Sequence, residues 1–227
     1  LTVDDRPQWR VVVGGSARYV EALVAPFRDR VRLGHAVRRV ERTDDGVTVN
    51  GEPFDRVVMA CHSDQALRML ADPTDAERAV LSAFPYQVND ALLHTDTRIL
   101  PRAQSAWGAW NYRVATDPSA PAVVTYNMNM LQSLEAPDTF CGTLNGSELV
   151  DPARVVGRAR YHHPVATVAG TAARSRRAEV SGANRTHFCG AYWGNGFHED
   201  GVVSAEWAVA DLEAKKGSDL FFGAVAC

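Results

Sequence analysis

Three groups of residues have types and spacings that could do chemistry. The richest is His187-Phe188-Cys189-Gly190-Ala191-Tyr192-Trp193-Gly194-Asn195-Gly196-Phe197-His198-Glu199-Asp200-Gly201. A short apolar piece ends at a glycine, and a loop of glycines and aromatics follows. Val202, Ala205, Val209 and Leu212 then recur at helical spacing. Asp200 has the chemistry of an N-cap, with Gly201 just inside the helix. A helix start carries unpaired N–H groups and roughly half a positive charge, so it suits an anion or an electron-rich ring edge. Read as structure alone, the stretch is a surface turn before an ordinary helix.

The second group is Cys61-His62-Ser63-Asp64. A thiol beside its base would make a Cys/His hydrolase, through Cys61 or alternatively Cys189. Neighbours on a strand point to opposite faces, however, so the pair makes a poor dyad. The plainer expectation is a strand end followed by a helix over Gln65–Leu70, capped by Ser63 or Asp64. The third group, Tyr161-His162-His163-Pro164, could be a metal pair. Adjacent histidines on a strand diverge, and neither they nor His187, Cys189 and His198 have a zinc-ligand spacing. No metal is expected.

Around these groups the chain alternates helix and strand signals. Trp9–Val13 is an apolar run ending in Gly14-Gly15-Ser16, and Tyr19, Val20, Leu23, Val24 and Phe27 then share a helical face. Val31–Leu33 and Ala36–Glu41 read as strand pieces. Val47-Thr48-Val49 lies between the turn signals Thr43-Asp44-Asp45-Gly46 and Asn50-Gly51. Phe54–Ala60 has the continuous apolar character of a buried parallel strand. Asp75–Ala83 reads as a short helix. From Phe84-Pro85-Tyr86 to about Val168 the signals are β, with strands at Ala91–Thr95, Ala106–Val114, Val123–Met130 and Phe140–Leu144. That run predicts an antiparallel sheet with one solvated face. Trp107, Trp110 and Tyr112 alternate poorly, as sheet packing or as a wall for an apolar molecule. Thr171–Ala178 predicts a helix whose basic face (Arg174, Arg176, Arg177) is solvated.

In this order, the strand–hairpin–strand unit and the glycine-rich stretch resemble the FAD-dependent amine-oxidase-like flavoproteins. The match is to a bacterial branch of predicted NAD/FAD-binding proteins, and it is similar to the oxidase-like region fused to some cyclopropane-fatty-acid synthases. The resemblance implies an α/β fold: part of an FAD-binding domain with an inserted antiparallel β-sheet substrate domain. The expected layout is an FAD-binding first part at 1–74, the sheet domain at 75–170, an FAD-binding last part at 171–213 and a tail at 214–227. It further implies that Gly190, Gly196, Phe197, Glu199, Asp200, Gly201 and Val202 lie on the cofactor side, and that Val37 serves adenine. Trp193, His198 and Trp110 are then the residues expected to see substrate or the flavin ring. The reaction implied for a complete enzyme is hydride transfer from a small-molecule or lipid-like substrate to FAD.

Family members open on strand, GxGxxG and helix, a unit that grips the pyrophosphate. These residues do not contain it, and Gly14-Gly15 resembles a later Gly-Gly segment instead. The resemblance covers about residues 7–212, so the chain is expected to be a C-terminal portion or truncated relative, with a partner chain as one source of the other FAD-binding half. Lysine occurs only at Lys215 and Lys216, outside the sheet region, and Ala191 stands where the family often has Glu. Both departures point away from amine oxidation specifically. A different class, a non-catalytic interaction or lipid-binding subunit that keeps the flavoprotein shell, is the alternative.

Composition bounds these readings. With 227 residues the chain can bury a sizeable core, and its net charge of −3 argues against nucleic acid as a partner. Four widely spaced cysteines without CxxC imply a reducing, cytoplasmic setting. No apolar run reaches the length of a transmembrane helix.

Overall fold

The computed structural model describes residues 10–114 and 121–214. Trp9 and the expected tail beyond Ala214, with both lysines and Cys227, lie outside the described residues. The described residues divide into two compact units, one formed by those of 87–163 with 10–15, the other by Ser16–Tyr86 with 164–214.

The second unit opens with α1 (Ala17–Val24), where Ser16 holds the N-cap position without a side-chain bond. Its expected apolar face is bare: Tyr19, Val20, Leu23 and Phe27 are all exposed. Three antiparallel strands follow, β1 (Val40–Arg42), β2 (Val47–Val49) and β3 (Glu52–Phe54). Asn50 and Gly51 sit at φ +51° and +87°, as the tight turn between β2 and β3 requires. The strand expected at Val31–Leu33 is absent, and only the end of Ala36–Glu41 pairs. The Asn50 side chain explains why. It accepts from the N–H groups of Arg38 and Arg39 at 2.8 and 3.2 Å and donates to Ala36 at 3.0 Å, replacing a strand neighbour.

β4 (Val57–Met59) leads into α2 (Ser63–Met69) and α3 (Asp75–Leu81). The cap of α2 is His62, earlier than the Ser63 or Asp64 expected, and the Gln65 side chain accepts its N–H at 3.2 Å. At α3, Thr74 and Glu77 form a reciprocal capping box.

The first unit is built on a five-stranded sheet of β5 (Tyr86–His94), β6 (Trp110–Arg113), β7 (Val123–Asn127), β8 (Cys141–Leu144) and β9 (Val155–Pro164) in the order β6-β7-β8-β5-β9. The short helix α4 (Met128–Gln132) takes up the end of the strand expected at Val123–Met130, with Asn127 as its cap. Cross-strand register puts Trp110, Tyr126, Gly142 and Leu93 in one row, and Tyr112, Val124, Leu144 and Ala91 in the next. Trp110 and Tyr112 therefore share a face, and both are exposed with Leu93.

On the opposite face Leu92 and Cys141 are buried together with the polar residues Thr125, Thr143 and His94. Thr125 and Thr143 exchange a hydroxyl bond at 2.9 Å, and Thr143 meets His94 Nε2 at 2.8 Å. The Asp96 N–H donates to His94 Nδ1 at 3.1 Å, so the ring is neutral and Nε2–H donates to Thr143. Burial holds His94 below its usual range, against the opposing charge of Asp96. Unfolded histidine titrates at about 6.5 and takes up its proton first, so stability present above that pH is lost as pH falls through the lower folded value. Urea midpoints at pH 8 and pH 5.5 should differ, with the lower at pH 5.5. His94→Gln should shrink that difference; an unchanged pH slope in the variant would assign it to other groups.

The chain then re-enters the second unit through α5 (Val168–Arg174), α6 (Arg177–Val180), β10 (Thr186–Phe188) and α7 (His198–Ala214). β10 pairs in parallel with β4, Val57 opposite Thr186 and Met59 opposite Phe188, as the apolar run at 54–60 led one to expect of a parallel strand. Val40, Met59, Leu70, Leu81, Phe84 and Phe188 meet in one core with Tyr192 and Trp193.

Candidate flavin site

The site is the passage from β10 to α7. Cys189 gives the last ladder bond, its N–H to Met59 O at 3.2 Å. Gly190 follows at φ +155°, and a Cβ there would come within 2.6 Å of the Tyr192 ring. Ala191–Trp193 form one turn of 3-10 helix, which drives Tyr192 and Trp193 inward. Phe84 meets both rings edge-on, at 5.0 and 5.4 Å. Trp193 is 4 % exposed, and its indole packs in the core. Burial, first of all, raises the Tyr192 hydroxyl well above its usual range.

The helix starts earlier than expected. α7 begins at His198, so Asp200 is its third residue and not the cap. The Asp200 carboxylate reaches back to accept the N–H of Phe197 at 2.9 Å and of Asn195 at 3.0 Å. That fills two donors in front of the helix and places an acid where the dipole favours one. Gly194 permits it: a Cβ there would lie within 2.7 Å of Asp200 Cβ and closer still to its carboxylate. A glycine six residues before an acid carries no local signal of this contact in the sequence.

Of the four residues whose apolar spacing marked the inner face of α7, only Leu212 is buried. Ser204, Ala208 and Leu212 face inward, while Val202 and Val209 are exposed with Trp207. Small residues let the helix approach β10 and the 3-10 turn closely, and packing overrides the count of large apolar side chains. The remaining predicted residues fall as follows. Phe197, His198, Glu199 and Val202 are exposed on the first turn of α7 or just before it. Gly201 has no heavy atom within 4 Å of where a Cβ would stand, and neither has Gly196, at φ +89°. Val37 packs at the edge of the core. Trp110 belongs to the sheet unit and is exposed there.

The competing chemistry finds less support. Burial raises the Cys189 thiol, and it raises Cys141 to about 11, the reverse of an activated nucleophile. The His62 ring stacks on Tyr86 at 4.5 Å. His163 Nδ1 bonds the Asn89 amide at 2.7 Å. Among the described residues no group of three His, Cys, Asp or Glu could hold a metal ion, and no helix is long and apolar enough to cross a membrane. The basic face expected near 174–177 is largely neutralised: Arg176 pairs with Glu179, and Arg177 pairs with Asp211 while lying over the Trp207 ring.

Residues 3–212 match the family described as flavin containing amine oxidoreductase, and the chain belongs to that family. Solved structures share the fold. Cyclohexylamine oxidase from Brevibacterium oxydans IH-35A is 15 % identical with a TM-score of 0.56, over 88 % of this chain and 53 % of that one. Wild-type putrescine oxidase bound to putrescine is 13 % identical with a TM-score of 0.57, over 89 % and 53 %. A CLA-producing fatty acid isomerase from P. acnes is 12 % identical with a TM-score of 0.52, over 77 % and 46 %. The chain thus spans about half the length of the solved structures it matches. No curated protein matches it significantly.

The residues present fit a flavin. The open space over Gly201 lets a ring edge approach the first turn of α7 without meeting a side chain.

Proposed function

We propose that this chain is the C-terminal part of an FAD-dependent oxidoreductase that transfers a hydride from an apolar substrate to the flavin. The observation that carries the reading is the bare backbone at Gly201 in the first turn of α7. FAD would supply the redox chemistry, taking a hydride from a substrate carbon. The chain would supply position: the α7 start favours the negative charge that develops at the flavin N1–C2=O edge on reduction. Gly190, Gly196, Phe197, Glu199, Asp200, Gly201 and Val202 would line the cofactor, with Val37 toward adenine. His198 and Trp110 remain the residues proposed to see substrate.

An apolar, even lipid-like, substrate is favoured by the sheet face of Trp110, Tyr112, Val124, Leu144 and Leu93, whose rows across β6, β7, β8 and β5 contain no charged side chain. The bare faces of α1 and α7 suit a further segment or partner chain carrying the GxGxxG unit. They equally favour a second reading, an interaction subunit that keeps the flavoprotein shell. Cytoplasmic residence is part of the proposal.

The test is flavin content. The purified 227-residue chain should be colourless, and the protein completed with an upstream GxGxxG segment should be yellow. A chain that purifies yellow with stoichiometric FAD would overturn the incomplete-half reading. A completed protein that stays colourless under excess FAD would overturn the flavin reading and leave the interaction subunit.

A further inference from the structure

The Ser204 side chain is fully buried on α7, and its hydroxyl has two partners. It donates to Gly201 O at 2.8 Å and accepts the Gly190 N–H at 2.8 Å. We propose that Ser204 is a positioning residue of the flavin site, a clamp that fixes the end of β10 against the first turn of α7. The inference rests on the cofactor reading above.

The clamp stands where the regular hydrogen bonding stops. The parallel ladder ends with the Cys189 N–H, so the Gly190 N–H needs another acceptor. The Tyr192 ring bounds Gly190 on the side where a Cβ would point. The Ser204 oxygen takes its N–H. The hydroxyl proton is spent on Gly201 O, which orients the lone pair toward Gly190. Gly190 and Gly201 are the two glycines at either end of the proposed flavin cradle. A single buried atom thereby spans them, and the exposed loop between, Asn195 to Phe197, does not have to. A loop held only by its own turns would let the cradle breathe; a buried hydroxyl with both roles filled holds it at one width.

Ser204→Ala keeps the close helix packing and removes only the clamp. Amide exchange on the 227-residue chain and FAD titration on the completed protein read its effect together. The Gly190 amide should exchange at least tenfold faster in the variant, with the Phe188 amide unchanged. FAD should bind about tenfold more weakly, and Ser204→Thr, which restores the hydroxyl, should recover most of that loss. Uniformly faster exchange with FAD affinity unchanged would make Ser204 a structural residue and overturn the proposal. A deprotected Gly190 with wild-type FAD affinity would overturn it as well while leaving the cofactor reading intact. A completed wild-type protein that binds no FAD would remove both.

Discussion

Arg42→Met is expected to cost about 3–5 kcal/mol of stability, the loss typical of breaking a buried ion pair by removing one partner. The Arg42 side chain is 4 % exposed and that of Glu77 1 %. The guanidinium donates to both Glu77 oxygens at 2.7 and 2.9 Å, to Asp72 Oδ1 at 2.9 Å and to Asp72 O at 2.7 Å. Burial works against the Arg42 charge, and its hydrogen bonds to Glu77 and Asp72 outweigh it. Methionine fills much of the same volume, so the loss is electrostatic. It leaves the Glu77 carboxylate dry, with only the Thr74 N–H at 2.8 Å as a partner among the bonds described. The effect reaches the site, because β1 carries Val40 into the core that holds Phe188 and Trp193. Arg42→Met/Glu77→Leu should recover much of the stability, since an apolar pair has no stranded charge. Chemical denaturation measures both variants. A single variant as stable as wild type, or a double variant no better than the single, would remove the network from the account of the fold.

Much of the scaffold was legible because its signals are local. Asn50-Gly51 names its own turn, and the continuous apolar run at 54–60 announces a parallel strand before its partner is known. The β character after Tyr86 comes from closely spaced strand and turn residues. The site was legible as a motif, strand–glycine loop–helix, but not in its internal mechanics. Periodicity weighs large apolar side chains, so it placed Val202, Ala205 and Val209 inward. The contact is made instead by Ser204 and Ala208, chosen for smallness. The burial of Trp193 has no local signal, because the 3-10 turn that carries it packs on Phe84, more than a hundred residues earlier. The polar interior of the sheet, Thr125, Thr143 and His94, is hidden for a related reason. Such residues read as solvent-facing until their hydrogen bonds to one another are seen.

Gly194→Ala tests the least legible contact of the site, and it is expected to cost roughly 2 kcal/mol with loss of flavin retention by the completed protein. The φ of Gly194, −120°, lies outside the left-handed region, so the argument here is one of space. The obstacle is Asp200. The added methyl would occupy the place of its carboxylate and push against Cβ at 2.7 Å, so the side chain must swing away. With it go both bonds to the N–H groups of Asn195 and Phe197. The α7 start then frays at the turn that bears Gly201, and the proposed cradle loses its shape. Gly196→Ala is the contrast. There φ is +89° but the space is open, so the cost is local strain of about 1–2 kcal/mol and the Asp200 bonds remain. Thermal melts and flavin absorbance separate the two. The decisive measurement is the double variant: once Asp200→Gly has removed the obstructed side chain, Cβ included, Gly194→Ala should cost almost nothing further. If the two losses simply add, Gly194 acts through something other than room for Asp200.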